Sequence, residues 1–210
     1  MAISIVTSPT TEDMTGKSHW WGFPDLPKGV ALPCFGGEEA DNEGYEDTLT
    51  FICQIRLEDI APYDEQGLLP HKGMLYFFAA LDYFMGDLDA PCEGMGRWSK
   101  GSYKVLYSPN CEELVTHEIR YDDGTSAALP ALKMSFERCD DREYGLKLLG
   151  VPALCELDSD SEGYMSLLQL DEDEDSGLRF FDMGMLNFHI TPNYLRLKRF
   201  DRAFAFMYSL

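Results

Sequence analysis

The residues best suited to chemistry in this chain are carboxylates. Asp158 to Gly177, DSDSEGYMSLLQLDEDEDSG, holds eight acidic residues and no Lys or Arg. Asp158, Asp160, Glu162 and Gly163 follow the opening of a calcium loop, which needs oxygens at alternate positions and a bidentate Glu at position twelve. That place is taken by Gln169, a neutral amide, so no metal site is expected. The stretch reads instead as a strand, MSLLQLD, between two acidic loops. One loop contributes Asp158, Asp160 and Glu162, the other Asp171, Glu172, Asp173, Glu174 and Asp175. A third acidic loop, Gly36 to Thr48, contributes Glu38, Glu39, Asp41 and Glu43. Carboxylates at this density must be solvated or neutralised, and a basic protein partner would neutralise them.

Other motifs fall short of their chemistry. Thr15-Gly16-Lys17-Ser18 ends like a phosphate-binding loop, but Thr11 stands where the first glycine belongs, and Pro24 blocks the helix that should follow. Gly94-Met95-Gly96 lacks a third glycine. His19, His71, His117 and His189 show no zinc-ligand spacing, and there is no GxSxG nucleophile elbow. No cofactor and no catalytic residue is assigned. The six cysteines contain no CxxC pair and read as reduced thiols.

The elements that would position these groups come from hydrophobic period. In LTFICQIRL, Leu49, Phe51, Cys53, Ile55 and Leu57 alternate with Thr50, Ile52, Gln54 and Arg56, the pattern of a half-buried strand. GMLYFFAAL, from Gly73, is apolar on both faces, as a central strand is. YKVLY at Tyr103 to Tyr107, Leu114 to Tyr121 and the closing RAFAFMYSL read as further strands. Asp141 to Leu149 reads as a short helix stopping at Gly150.

The second half echoes the first. GFPDL at Gly22 returns as GVPAL at Gly150. The strand carrying Gln54 returns with Gln169, and GMLYFF at Gly73 returns as GMLNFH at Gly184, which sets His189 on Phe78. Three matches in one order indicate an internal duplication. We expect one domain over 1–210, with repeats at about 17–80 and 145–190 and intervening strands within 103–121. The expected fold is a β-rich α+β domain with a largely antiparallel sheet.

These motifs in this order, KSHWWGFPDLPKGVALP, LTFICQIRL, LPHKGMLYFF, YKVLY, LLGVP, SLLQLD and DMGMLNFHI, resemble those of the YwqG-like family, a bacterial domain family of unassigned function. The resemblance runs from about Lys17 to the C-terminus. It departs at Trp21-Gly22, where the family has a glycine pair. It implies a duplicated β-rich fold and supplies no catalytic residue.

Charge bounds the function. The 210 residues carry a net charge of −20, which argues against binding nucleic acid or an anionic membrane. The N-terminal MAISIVTSPTTEDM lacks the basic and apolar regions of a secretory signal, so a cytoplasmic protein is expected. The leading expectation is a non-catalytic binding protein whose acidic loops hold a basic partner, as an immunity-type protein neutralising a basic toxin would. The alternative is a small-molecule-binding or enzymatic domain with a cleft between the repeats, lined by Gln54, Gln169 and His189.

Overall fold

A computed structural model of the chain describes residues 2–36, 48–120, 124–154 and 163–209. Its main element is an eleven-stranded sheet. The first half supplies β1 (Ala2–Pro9), β2 (His19–Trp20), β3 (Asp25–Pro27), β4 (Thr50–Arg56), β5 (Met74–Ala79), β6 (Gly96–Arg97) and β7 (Tyr103–Ser108). Then come β8 (Leu114–Thr116), β9 (Leu132–Cys139), β10 (Lys147–Leu148), β11 (Met165–Asp171), β12 (Met185–Ile190) and β13 (Phe204–Tyr208). The order is β6-β13-β12-β11-β10-β1-β9-β2-β4-β5-β7, and β3 pairs with β8 in a separate ribbon. Every strand pairing is antiparallel. The helical part of the fold, among the described residues, is confined to short segments such as α1 (Leu57–Ile60) and α2 (Pro192–Arg196) and the 3-10 turns Asp82–Met85 and Phe200–Arg202. No helix among these residues is long and apolar enough to cross a membrane.

The central pair is β1 with β9, joined over eight residue pairs from Ala2–Cys139 to Pro9–Leu132. On either side the same pattern unfolds. β4 meets β5 with Gln54 opposite Tyr76, and β11 meets β12 with Gln169 opposite Asn187. Both ladders slip at the same place, between Phe51 and Cys53 in one and between Ser166 and Leu168 in the other. β2 and β10 pair alike with the Gln strands, His19 to Gln54 and Lys147 to Gln169. Beyond them two consecutive residues turn left-handed, Trp21-Gly22 in one copy and Leu149-Gly150 in the other.

The slip corrects the face assignment of LTFICQIRL. A bulge adds one residue, so side chains before and after it no longer alternate in step. Leu49 and Phe51 share a cluster with Tyr76 and Phe78, whereas Cys53, Ile55 and Leu57 join the main core. β4 is therefore buried on both faces rather than half-buried. The sheet curls until its two halves meet: Phe77 of β5 packs edge-on against Phe188 of β12, ring centres 5.3 Å apart. β5 and β12 are buried along their whole length, as continuous apolar runs require.

Two other expectations change. Residues 141–149 form no helix, because the chain wraps around a buried ammonium. Lys147 Nζ donates to the carbonyls of Asp141, Glu143 and Val151 at 2.7–2.8 Å, and β10 occupies 147–148. The strand from Leu114 ends at Thr116, where pairing with Asp25 ends; Tyr121 lies outside the described residues.

A Cβ at Gly150, where φ is +82°, would lie 2.8 Å from Ala2 Cβ and 3.0 Å from the Asp141 carbonyl. Gly150→Ala should therefore lower stability by about 1–3 kcal/mol, through backbone strain and displacement of the central strand. Urea denaturation reads this directly, and an unchanged midpoint would refute it.

Candidate functional site

The two glutamines are structural anchors, each in its own repeat. Gln54 Oε1 accepts the Asp25 amide at 2.8 Å, and its Nε2 donates to the Lys17 carbonyl at 3.0 Å and to Asp25 Oδ2 at 2.8 Å. Gln169 Oε1 accepts the Ala153 amide at 2.9 Å, and its Nε2 donates to the carbonyls of Gly145 at 2.8 Å and Glu143 at 3.1 Å. Both side chains are fully buried, and these bonds satisfy their amides. They bind separate loops, and the inner faces of the two halves close on each other through apolar side chains. The structure thus does not gather Gln54, Gln169 and His189 around one cleft.

In the first copy the Gln anchor is elaborated by charge. Asp25 accepts from Gly16 N, Gln54 Nε2 and Thr116 Oγ1, and His19 Nε2 lies 3.9 Å away. Burial would raise its pKa, but His19 and these donors outweigh it and hold the carboxyl at about 2. The Thr15–Ser18 stretch that resembles a phosphate loop thus directs the Gly16 amide at the protein's own carboxylate. In the second copy Ala153 replaces Asp25, and Lys147 occupies the place of His19. Burial pushes the Lys147 pKa down to about 8.

His189 belongs to a cluster that sequence reasoning did not assemble. On the face of β11 and β12 that carries Gln169, the second copy has Ser166, Asn187 and His189. The first copy has Phe51, Tyr76 and Phe78 at the same ladder positions. Ser166 Oγ lies 3.1 Å from Asn187 Oδ1, and Tyr208 Oη lies 3.0 Å from His189 Nε2. Asn187 Nδ2 and His189 Nδ1 are buried without a hydrogen-bond partner. Aromatic rings border them: Phe204 is 5.3 Å from the imidazole, and Tyr164 and the Arg97 guanidinium pack on Phe204 at 4.9 and 4.1 Å. Burial drives the His189 pKa down to about 4, against the opposing effect of the Met165 backbone. The signal for this cluster was available in the duplication: three aromatic positions became polar together.

The acidic turn after β11 divides into two groups. Asp171 accepts the amides of Gly145 and Glu172, and Glu172 Oε1 accepts the Phe180 amide at 2.9 Å. Asp173 accepts the Asp175 amide. These carboxylates shape the turn. Glu174 and Asp175 are exposed, and Glu174 lies 3.5 Å from Arg179. Glu38, Glu39, Asp41, Glu43, Asp158, Asp160 and Glu162 lie outside the described residues. The basic tail pairs locally, with Arg199 and Arg202 both on Asp201.

A family model described as a domain of unknown function, DUF1963, matches residues 18–138 and again 115–208. No curated protein matches the chain.

The buried imidazole makes stability depend on pH. A folded pKa of about 4 against 6.5 means that the unfolded chain binds the proton first as pH falls. The His189 contribution is complete above pH 6.5 and is lost as pH drops towards 4, by about 3 kcal/mol in all. His189→Phe, which installs the first copy's residue, should flatten the stability profile across that window. Denaturation at a series of pH values decides, and an unaltered slope in the variant would rule out His189 as its source.

Proposed function

This chain belongs to the DUF1963 family, and we propose that it is a non-catalytic, cytoplasmic binding protein whose acidic surface holds a basic protein partner. Within the family we infer kinship with the YwqG-like proteins from the ordered motifs. An immunity-type role, neutralising a basic toxin, is the specific form we favour. The observation that carries the reading is the surplus of acid that the fold does not use. Many described cations are already matched: Lys17 and Lys133 to Glu12, Lys28 to Glu113, Arg56 to Glu58, Arg120 to Glu118 and Arg138 to Glu65. A net charge of −20 remains, with Glu174 and Asp175 exposed on a turn built by their neighbours. Such a field speeds encounter with a basic partner and repels acidic ones. Glu38, Glu39, Asp41, Glu43, Asp158, Asp160 and Glu162 add to the proposed acidic charge on sequence grounds alone.

A second reading, small-molecule binding or enzymatic activity, is favoured by the unpaired Asn187 Nδ2 and His189 Nδ1. Buried polar atoms normally have partners, and a ligand is one way to supply them.

The first reading is tested by immobilising the protein in lysate of its own cells at low and high salt. A basic protein should be retained at low salt and released at high salt. Glu174→Lys with Asp175→Lys should abolish retention while shifting stability by no more than about 0.5 kcal/mol, as exposed sites do. Asp171 and Glu172 are unsuitable targets, because reversing them removes hydrogen bonds of the turn. Retention that survives the double reversal at physiological salt would refute the acidic-surface reading.

A further inference from the structure

The turn that leads into β12 has a twin leading into β5. Phe180 and Leu69 occupy the same place, both buried. The Phe180 amide is held by Glu172 Oε1 at 2.9 Å, and the Leu69 amide by Asp64 Oδ2 at 2.8 Å. Each turn closes on a glycine with no room for a Cβ, which would lie 2.3 Å from the Phe180 carbonyl at Gly184 and 2.2 Å from the Ser108 carbonyl at Gly73. Between these fixed points the copies differ. The first has Pro70-His71-Lys72, and the second has Phe181-Asp182-Met183. Phe181 is 50% exposed and Met183 65% exposed.

The first copy places Pro70 and Lys72 where the second has Phe181 and Met183, so this turn requires neither an exposed aromatic ring nor an exposed thioether. Displaying both to water runs against the burial that drives folding, so the display calls for an occupant. Its surroundings say what kind. Phe181 stands edge-on to Phe84, ring centres 5.3 Å apart, so the turn lies beside the 3-10 segment Asp82–Met85. The Phe84 carbonyl accepts the Arg179 amide at 2.9 Å, which ties that segment to the acidic turn. Exposed acids therefore lie on both sides: Asp82 and Asp87 with the 3-10 segment, Glu174 and Asp175 on the turn, and Asp182 between the two apolar residues. The neighbouring cation Arg179 faces Glu174. An apolar centre within a charged rim is the usual anatomy of a protein interface.

We infer that Phe181 and Met183 anchor the partner, which is a basic segment carrying apolar side chains among its lysines or arginines. This rests on the acidic-surface reading above and adds the apolar contact to it. The rim attracts the cationic groups, and the exposed ring and thioether take the apolar ones.

The test uses the full chain and two synthetic peptides of equal positive charge, one of Lys and Gly, the other with Leu in place of Gly. Isothermal titration should show the Leu peptide binding at least about tenfold tighter, a difference of about 1.4 kcal/mol. Phe181→Ser with Met183→Ser should bring the two peptides to equal affinity. Met183→Ser alone, which removes no ring packing, should reduce the preference severalfold. Glu174→Lys with Asp175→Lys should weaken both peptides. Equal binding of the two peptides to the unaltered protein, or a Leu preference that survives the double Ser variant, would overturn the apolar anchor and leave the acidic surface standing. Binding of both peptides undiminished by charge reversal would overturn the acidic surface itself, and failure of either peptide to bind would overturn both.

Discussion

A buried amide with nowhere else to turn holds each half of this fold together. Gln54 and Gln169 lie on a fully buried sheet face, where an unsatisfied polar group costs about 1–3 kcal/mol. Each meets that constraint in the same way, by accepting the amide that follows the proline of the GxPxL loop, Asp25 after Pro24 or Ala153 after Pro152, and by donating to backbone carbonyls upstream. The loop is thereby pinned across the strand. The short strands β2 and β10 follow in register, and through them each half joins the central β1–β9 pair. The bulge two residues earlier, at Ile52 or Leu167, belongs to the same device, because it resets the side-chain alternation so that Gln shares a face with Phe51 or Ser166.

Since the scaffold occurs twice, each copy serves as a control for the other. Features common to both answer to folding: the Gln, the bulge, the left-handed pair, the carboxylate that accepts the amide at Leu69 or Phe180. Differences answer to something else. Asp25 and His19 become Ala153 and Lys147, so a buried carboxylate beside an imidazole is exchanged for an ammonium held by three carbonyls. Phe51, Tyr76 and Phe78 become Ser166, Asn187 and His189, which leaves two polar atoms unpaired. Pro70, His71 and Lys72 become Phe181, Asp182 and Met183, which places apolar groups in water. The last two of these changes work against simple stability.

The repeated pattern was legible in the sequence because its marks have structural work in both halves: each Gln holds the GxPxL loop beside it. GxPxL, the Gln and the GMLxF strand all appear at their true positions. The face of β4 was not legible, since a bulge leaves no mark on composition and alternation assumes a regular pleat. β1 and β9, the centre of the sheet, escaped notice because they pair with each other across more than a hundred residues and carry mixed polarity, with Val6 46% exposed. The helix expected at 141–149 failed because local propensity could not foresee that Lys147 would turn inward and gather carbonyls. His189 was placed on Phe78 correctly, but its cluster depends on β13, whose Tyr208 lies opposite Met185 rather than near it in sequence.

The acidic composition is also two things at once. A carboxylate that accepts a backbone amide stabilises a turn and is held there; Asp64, Asp87, Asp171 and Glu172 do this. A carboxylate without such a bond contributes mainly repulsion, which salt relieves and a cationic partner relieves more specifically. Sequence counts both kinds alike. The structure separates them along a single run, where Asp171 to Asp173 build the turn and Glu174 and Asp175 project from it. A partner of the kind proposed would meet a turn whose backbone other carboxylates have already ordered, so little backbone entropy would be lost on binding.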